Sequence, residues 1–133
     1  EPNALLDPWP HADATATPTD TPEQISEVIR GAAAAVLVAV DRGLLVGSVI
    51  GAWDGWRGNI YRLAVLPSYR RRGIARALVA EVERQLADRG ARRISALVEH
   101  DHPWAVGFWD SLYEPDPRLI RYVKKIEPTR RDP

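Results

Sequence analysis

Hydrophobic positions along this chain follow two spacings, one typical of helices and one typical of strands. Over residues 74–89 apolar side chains recur at every fourth position, which predicts an amphipathic helix, and Gly90 supplies the left-handed residue that commonly ends one. The apolar stripe consists of Ile74, Leu78, Val82 and Leu86, widened by Ala75 and Val79. A capping box formed by Thr21 and Gln24 predicts an earlier helix over residues 22–31.

Runs of β-branched, aromatic and aliphatic residues predict the strands. They cover residues 35–40, 44–53, 59–66, 93–99 and 118–126. A turn at residues 41–43 joins the first two runs into a hairpin of largely buried strands, and Pro67 ends the third because proline cannot donate to a sheet. Asp101 is expected to cap a short helix over residues 103–112.

The order of these elements predicts an α/β (α+β) fold. Three strands in succession favour an antiparallel meander, and the helix that follows favours a crossover into a further, parallel strand. The sheet is therefore expected to be mixed and mostly antiparallel, with helices on both faces. We expect a proline-rich arm over residues 1–20, one domain over residues 21–126 and a polar tail over residues 127–133.

The composition excludes several classes of protein. The 133 residues contain no cysteine, which excludes disulfides, thiolate nucleophiles and cysteine-ligated metals, and His100 and His102 lack a third ligand for a metal site. A net charge of zero argues against a nucleic-acid binder. The longest apolar run, residues 32–40, is about half of the ~18 residues that a membrane span requires. Without a basic and apolar leader at the start, a cytoplasmic protein is expected.

The candidate chemistry lies where the third strand passes into the strongest helix. The first N–H groups of a helix have no partners within the helix, and the helix dipole is positive there. Gly73 allows a phosphate to approach this backbone, and Arg70, Arg71 and Arg72 add guanidinium donors. Three cations at a positive helix end cost free energy unless an anion binds, so the junction predicts a phosphate site.

This junction resembles the signature of one enzyme family. Residues 70–75, Arg-Arg-Arg-Gly-Ile-Ala, match the [RQ]-x-x-G-x-[GA] motif of the GCN5-related N-acetyltransferases (GNAT), and its flanking strand and helix match as well. The resemblance implies a sheet splayed between two parallel strands, with acetyl-CoA as co-substrate in the gap. The coenzyme-binding residues that it implies are Leu63, Ala64, Val65, Arg70, Arg71, Arg72, Gly73, Ile74, Ala75, Arg76 and His102.

The resemblance also implies direct attack of an amine on the thioester, but the family's usual acid is replaced. Trp109 stands at the position of the tyrosine that commonly protonates the leaving thiolate, so Tyr113 is the nearest phenol. Glu99 ends the predicted strand over residues 93–99, where its side chain would share a face with Leu97, and it is the candidate base. A surface carboxylate and a packing phenol are the alternative interpretations, with His100 as another base.

Aromatic residues suggest where the acceptor binds. Trp53, Trp56 and Tyr61 flank a turn that in the implied fold lies beside the acceptor groove, and aromatic faces attract cationic amines. The expected acceptor is a small-molecule or peptide amine, with no nucleic-acid or membrane partner, and the protein is a monomer or homodimer. Two other functions stay open: a catalytically weak acyl-CoA-binding or regulatory module on the same fold, and a nucleic-acid contact through Arg70, Arg71 and Arg72.

Overall fold

A computed structural model describes residues 34–128, and these residues form two units. The first unit ends at Leu97 and contains a sheet with one helix, while the second begins at Val98 and contains one short helix. The predicted arm over residues 1–20 and the predicted helix over residues 22–31 lie outside the described residues. None of the helices among residues 34–128 is long and apolar enough to span a membrane.

The sheet of the first unit is mixed, as predicted. Its strands are β1 (Ala34–Asp41), β2 (Leu44–Trp53), β3 (Gly58–Val65) and β4 (Ile94–Ala96), in the spatial order β1-β2-β3-β4. The first three strands pair antiparallel, and β3 pairs parallel with β4. The β1–β2 hairpin turns at Arg42 and Gly43, whose φ angles of 52° and 80° are those of a tight primed turn.

The two strands of this hairpin differ in burial. The middle of β2 is fully buried, whereas Val38 and Val40 of β1 keep 48% and 59% of their surface exposed. The expectation that both strands are largely buried is therefore wrong for β1. The reason is that β1 has a strand neighbour on one side only within the described sheet, and its two exposed valines share one face.

Helix α1 (Ile74–Asp88) covers the other face of the sheet through its apolar stripe. Three glycines lie beneath it, and a Cβ added at Gly47, Gly51 or Gly58 would meet the side chains of α1 at 3.3, 2.6 and 2.8 Å respectively. The absence of side chains at these positions lets the helix approach the strands closely. The helix stripe and the inner residues of β2 and β3 form the core: Val49, Ile60, Val65, Val79, Val82 and Leu86 are each at most 2% exposed. A helix on the opposite face stays a prediction.

Strand β3 contains a bulge that changes its pairing with β2. The register runs Gly51–Ile60 and Ile50–Tyr61 before the bulge, but Ser48–Ala64 and Gly47–Val65 after it, so β3 carries one extra residue. Arg62 at the bulge has φ 54°, in the left-handed region where glycine is usual.

The parallel strand β4 is shorter than predicted. It pairs with β3 from Gly58–Ile94 to Ile60–Ala96 and ends there, whereas the sequence predicted a strand over residues 93–99. The bulge gives the physical reason, because the backbone groups of β3 fall out of phase with a continuing parallel neighbour just beyond Ile60. Leu97 and Glu99 thus lie outside the strand, and alternation along a strand no longer fixes where their side chains point.

The second unit is built around helix α2 (Pro103–Asp110). His102, not Asp101, is its N-cap, because the His102 Nδ1 accepts a hydrogen bond from the Ala105 N–H at 3.2 Å. Asp101 stands one residue too early for this bond. Trp109 is 8% exposed, and its ring centroid lies 5.3 Å from that of Phe108 and 4.9 Å from that of Tyr113.

The strand predicted over residues 118–126 is absent from the described part of the chain. Arg118 lies in a turn, residues 119–126 form neither strand nor helix, and the large apolar side chains of this segment are 69–89% exposed. They are Leu119, Ile120, Tyr122, Val123 and Ile126. Their spacing does not alternate strictly, so no single strand face could bury all of them.

Candidate coenzyme site

The predicted phosphate site is built where β3 passes into α1. After β3 the chain makes one turn of 3-10 helix (Pro67–Tyr69), crosses the arginine-rich loop and enters the helix at its N-cap, Gly73. The first turn of α1 contains no acidic residue, and no side chain in the described chain caps its N–H groups. The helix start therefore offers donors and partial positive charge to an anion.

The loop itself is shaped as an anion cradle. Arg71 and Gly73 have φ angles of 65° and 83°, so two left-handed residues flank Arg72 in this loop, and turns of this kind commonly form anion-binding concavities. A Cβ built on Gly73 meets no atom of the described chain within 4 Å. The space beside this backbone is large enough for a phosphate oxygen to approach, so the residues present fit the pyrophosphate of coenzyme A.

The strand that leads into the loop has backbone groups that point away from β2. The Leu66 N–H donates to the Val46 carbonyl at 2.8 Å, flanking the Gly47–Val65 pair, so the N–H and C=O of Val65 point away from β2. By alternation, the backbone groups of Leu63 also point away from β2, while those of Ala64 point toward Ser48 of β2. Leu63 and the N–H of Val65 lie beyond the last residue paired with β4 and thus provide backbone groups for an amide-bearing chain such as pantetheine.

Arg70 makes a hydrogen bond within the chain at this junction. Its Nε donates to the Val65 carbonyl at 3.1 Å, which closes the turn between β3 and the loop. The sequence assigned Arg70 to coenzyme binding together with Arg71 and Arg72. The structure gives its Nε a bond to the backbone, so its observed contact shapes the site.

The aromatic residues of the first unit occupy three different environments. Tyr61 is 38% exposed and stands directly before the bulge. Trp56 is 70% exposed, but the Arg57 guanidinium lies over its ring at 3.8 Å from the centroid. Two ring carbons of Trp53 lie 3.9 Å from the position of a Cβ on Gly90, at the end of α1.

The turn that carries Trp56 is held by a single carboxylate. Asp54 Oδ1 accepts hydrogen bonds from the backbone N–H groups of Trp56 at 2.8 Å and of Arg57 at 2.6 Å. The bond from Arg57 contributes most to holding the pKa of Asp54 below its usual range. The Asp54 side chain thus fixes the turn, and one face of Trp56 is covered by a cation.

The remaining candidates belong to the second unit. Glu99 is exposed, and its carbonyl accepts from the His102 N–H at 3.2 Å. His102 is half-buried, with its Nδ1 engaged as the cap of α2. Tyr113 is half-buried against Trp109, whose carbonyl accepts its N–H at 2.7 Å.

Comparison with known proteins identifies the family. The sequence model of the acetyltransferase (GNAT) family matches residues 3–112. An acetyltransferase of Yersinia pseudotuberculosis is 36% identical over 104 residues, covering 78% of this chain and 74% of the relative. An acetyltransferase of Pectobacterium atrosepticum is 35% identical over 109 residues, covering 82% of this chain and 77% of the relative.

Solved structures share the fold. The aminoglycoside N-acetyltransferase AAC(6')-Iy, bound to the bisubstrate analogue CoA-S-monomethyl-acetylneamine, gives a TM-score of 0.73 at 21% identity over 94% of this chain and 89% of that one. The aminoglycoside 6'-N-acetyltransferase AAC(6')-IG of Acinetobacter haemolyticus gives a TM-score of 0.73 at 17% identity over 93% and 94% of the two chains.

The mixed sheet, its crossover helix and the sequence similarity together define the class of this protein as an acetyltransferase. The chain belongs to the GNAT acetyltransferase family. It is an N-acetyltransferase that uses acetyl-CoA, as the sequence predicted.

Proposed function

We propose that this N-acetyltransferase holds acetyl-CoA along the outward edge of β3 and on the loop that starts α1. Leu63 and Val65 would pair with the pantetheine amides through their backbone. The pyrophosphate would take N–H bonds from the residues around Gly73, with Arg71, Arg72 and Arg76 supplying charge. One observation carries this assignment: the outward-facing backbone at Val65 and the open space beside Gly73 lie within eight residues of one another in the sequence.

The bound coenzyme supplies an acetyl thioester as the acetyl donor. The chain's own contribution begins with orientation, because an outward-facing strand edge fixes an amide chain at two successive points. Ile74 and Ala75 follow Gly73 in the first turn of α1, where Ala75 is buried and keeps the helix start close to the sheet. The site is thus preformed, and little conformational entropy is lost when the coenzyme binds.

The acceptor must reach the thioester as a neutral amine. A lysine-like ammonium has a pKa near 10.4, so its neutralisation at pH 7 costs about 4.6 kcal/mol. We assign the removal of this proton to Glu99, directly or through water, because its exposed carboxylate can meet a cationic acceptor. We assign protonation of the leaving sulfur to Tyr113, the phenol nearest in sequence to the position where Trp109 replaces the family's usual tyrosine.

The acceptor that we propose is a small molecule with a cationic primary amine. Among the three aromatic candidates, Tyr61 has the environment best suited to contact it, since it is part-exposed and adjoins the bulge of β3. The covering of Trp56 by Arg57 leaves one face of that ring to attract a cation. The neighbour bound to an acetylneamine analogue makes aminoglycosides the first amines to test.

Calorimetric titration with coenzyme A tests the coenzyme site. Alanine at Gly73 places a methyl group where a phosphate oxygen would approach, and we expect affinity to fall by at least about tenfold, or 1.4 kcal/mol. A branched residue such as valine is less suitable, because φ 83° strains any side chain and a β-branched one most. Unchanged affinity in Gly73→Ala would refute the assignment.

Gly55→Ala is the matched control. Gly55 has φ 90° and also meets no described atom within 4 Å of an added Cβ, but it lies in the β2–β3 turn, at the end of β2 away from the loop. Both substitutions introduce the same left-handed strain, about 1–2 kcal/mol. Only Gly73→Ala should weaken coenzyme binding, while the melting temperatures of the two variants should fall by similar amounts.

Release of free thiol from acetyl-CoA tests the transfer. Aminoglycosides, polyamines and a peptide with a free N-terminus form a panel of amines that differ in size and charge. Thiol release that depends on one of these amines supports the transferase. Tight coenzyme binding without amine-dependent release would favour the catalytically weak acyl-CoA-binding module instead.

A further inference from the structure

A hydrogen bond joins the arginine-rich loop to the far strand of the hairpin. The Tyr69 hydroxyl donates to Asp41 Oδ2 at 2.8 Å, although the two residues are 28 positions apart. Asp41 is the last residue of β1, and Tyr69 is the last residue of the 3-10 turn that precedes the loop. Both residues are half-buried. This bond ties the start of the loop to a part of the sheet that the signature motif does not include.

The ring of Tyr69 carries a second contact, this one with the loop itself. The Arg72 guanidinium lies over the ring, with its Cζ at 4.8 Å from the centroid. A phenol that donates to a carboxylate gains electron density, and this strengthens the attraction of its face for a cation. The bond to Asp41 also raises the pKa of Tyr69 above its usual range, which keeps the phenol protonated as the donor. Asp41, Tyr69 and Arg72 therefore form one chain of contacts.

A long arginine side chain on an exposed loop would otherwise sample many rotamers. Holding its guanidinium against a ring removes part of that freedom before an anion arrives, so less entropy is lost on binding. The Asp41 carboxylate is turned toward the Tyr69 hydroxyl, which separates this negative charge from the phosphate site by an aromatic ring.

We propose that Asp41 and Tyr69 are positioning residues for the coenzyme, which fix the Arg72 guanidinium beside the phosphate-binding loop. The inference rests on the proposed coenzyme site and adds to it two residues outside the signature, Tyr69 directly before it and Asp41 far from it in the sequence. Arg72 contacts the phosphates, whereas Asp41 and Tyr69 act through it.

Coenzyme A affinity, measured by calorimetry in single and double variants, tests the chain of contacts. Tyr69→Leu removes the ring, and we expect the Kd to rise about fivefold, as for the loss of a cation–π contact at an exposed site. Tyr69→Phe keeps the ring but loses the bond to Asp41, and a rise of about threefold is expected. In an Arg72→Gln background, Tyr69→Leu should have little further effect.

Asp41 provides the conservative comparison. Asparagine at Asp41 retains an oxygen that can accept the Tyr69 hydroxyl, so Asp41→Asn should weaken binding less than Asp41→Ala. The kcat at saturating acetyl-CoA should be unchanged in the Asp41 and Tyr69 variants that retain Arg72, and their KM for acetyl-CoA should rise with the Kd.

If the hydrogen bond between Asp41 and Tyr69 only stabilises the fold, the variants should give a different pattern of melting temperatures and Kd values. The melting temperature would then fall, but the Kd would stay the same, or Tyr69→Leu would have an equal effect with and without Arg72; either result overturns the inference. If Gly73→Ala weakens binding and Tyr69→Leu does not, the inference fails while the proposed coenzyme site stands. If neither substitution weakens binding, the coenzyme site itself is wrong.

Discussion

Gly51 lies in β2 directly beneath Val82 of α1, and alanine at this position tests how tightly the helix packs on the sheet. A Cβ at Gly51 would stand 2.6 Å from Val82 Cγ1, well inside van der Waals contact. Val82 is fully buried and β-branched, so its side chain has few other rotamers to adopt. We therefore expect the helix or the strand to shift.

The expected loss of stability follows from opposing effects. Overpacking of a buried site costs about 1–3 kcal/mol. Alanine in a strand loses less backbone entropy on folding than glycine does, and this difference stabilises the variant by about 0.5–1 kcal/mol. Gly51→Ala should thus lower the free energy of unfolding by about 1–2 kcal/mol. Val82→Ala removes two methyl groups and should cost about 1.6 kcal/mol from transfer alone, at ~0.8 kcal/mol for each.

The double variant Gly51→Ala/Val82→Ala should lose less stability than the sum of the two single variants, because the new methyl group occupies the space that Val82 vacates. We expect a coupling of about 1 kcal/mol or more, within the range for residues in contact. Urea unfolding with an unchanged m-value provides the measurement.

Gly58→Ala serves as the comparison for this packing effect. An added Cβ at Gly58 would lie 2.8 Å from Leu86 Cδ1, the end of a flexible side chain that can rotate away. Its cost should therefore be smaller than that of Gly51→Ala. Strict additivity of Gly51→Ala and Val82→Ala, or a larger loss at Gly58 than at Gly51, would refute this account of the interface.

Three further predictions concern charge and catalysis. The Arg84 guanidinium first, and then the Gln85 amide, hydrogen-bond the carboxylate of Glu81 and lower its pKa from about 4.5 to about 2. The stabilisation is present above pH 4.5 and is lost as the pH falls toward 2, so Glu81→Gln should flatten the acid limb of a melting-temperature profile; an unchanged slope would contradict it. Glu99→Gln should lower kcat/KM by ~10²–10⁴ and move the pH optimum upward, whereas Tyr113→Phe should lower kcat with little change in coenzyme affinity. Unaltered kinetics would instead make Glu99 a surface carboxylate and Tyr113 a packing residue.

Local signals in the sequence were sufficient for most of the first unit. The first three strands and α1 were predicted to within one residue at each end, since turn residues, Pro67 and the four-residue apolar stripe act over short spans. A phosphate site could be proposed from the sequence for the same reason, because its strand end, Gly73 and helix start are contiguous.

Features that depend on pairing or on distant partners could not be predicted in this way. The bulge at Arg62 carries no glycine to mark it, and the early end of β4 follows from that bulge. The N-cap of α2 is His102 rather than the predicted Asp101, a difference of one position that depends on the hydrogen bond from the Ala105 N–H to His102 Nδ1. The hydrogen bond between Asp41 and Tyr69 forms only in the folded chain, where β1 and the loop meet. In the sequence, Asp41 belongs to a segment, residues 41–43, whose composition predicted only a turn.

The bulge in β3 changes which residues of this strand direct their backbone groups away from β2. Before it, residues 58 and 60 direct their amides toward β4, as the bond from the Gly58 N–H to the Arg93 carbonyl at 3.1 Å illustrates. After it, the outward residues are Leu63 and Val65, so the parity has changed from even to odd. A regular strand of the same length would keep the even residues outward and turn the amides of Leu63 and Val65 inward to β2, so the bulge is what brings these amides to the outer edge. The phase of the pairing between β3 and β2, rather than the side chains along this stretch, therefore decides which backbone groups would face a coenzyme.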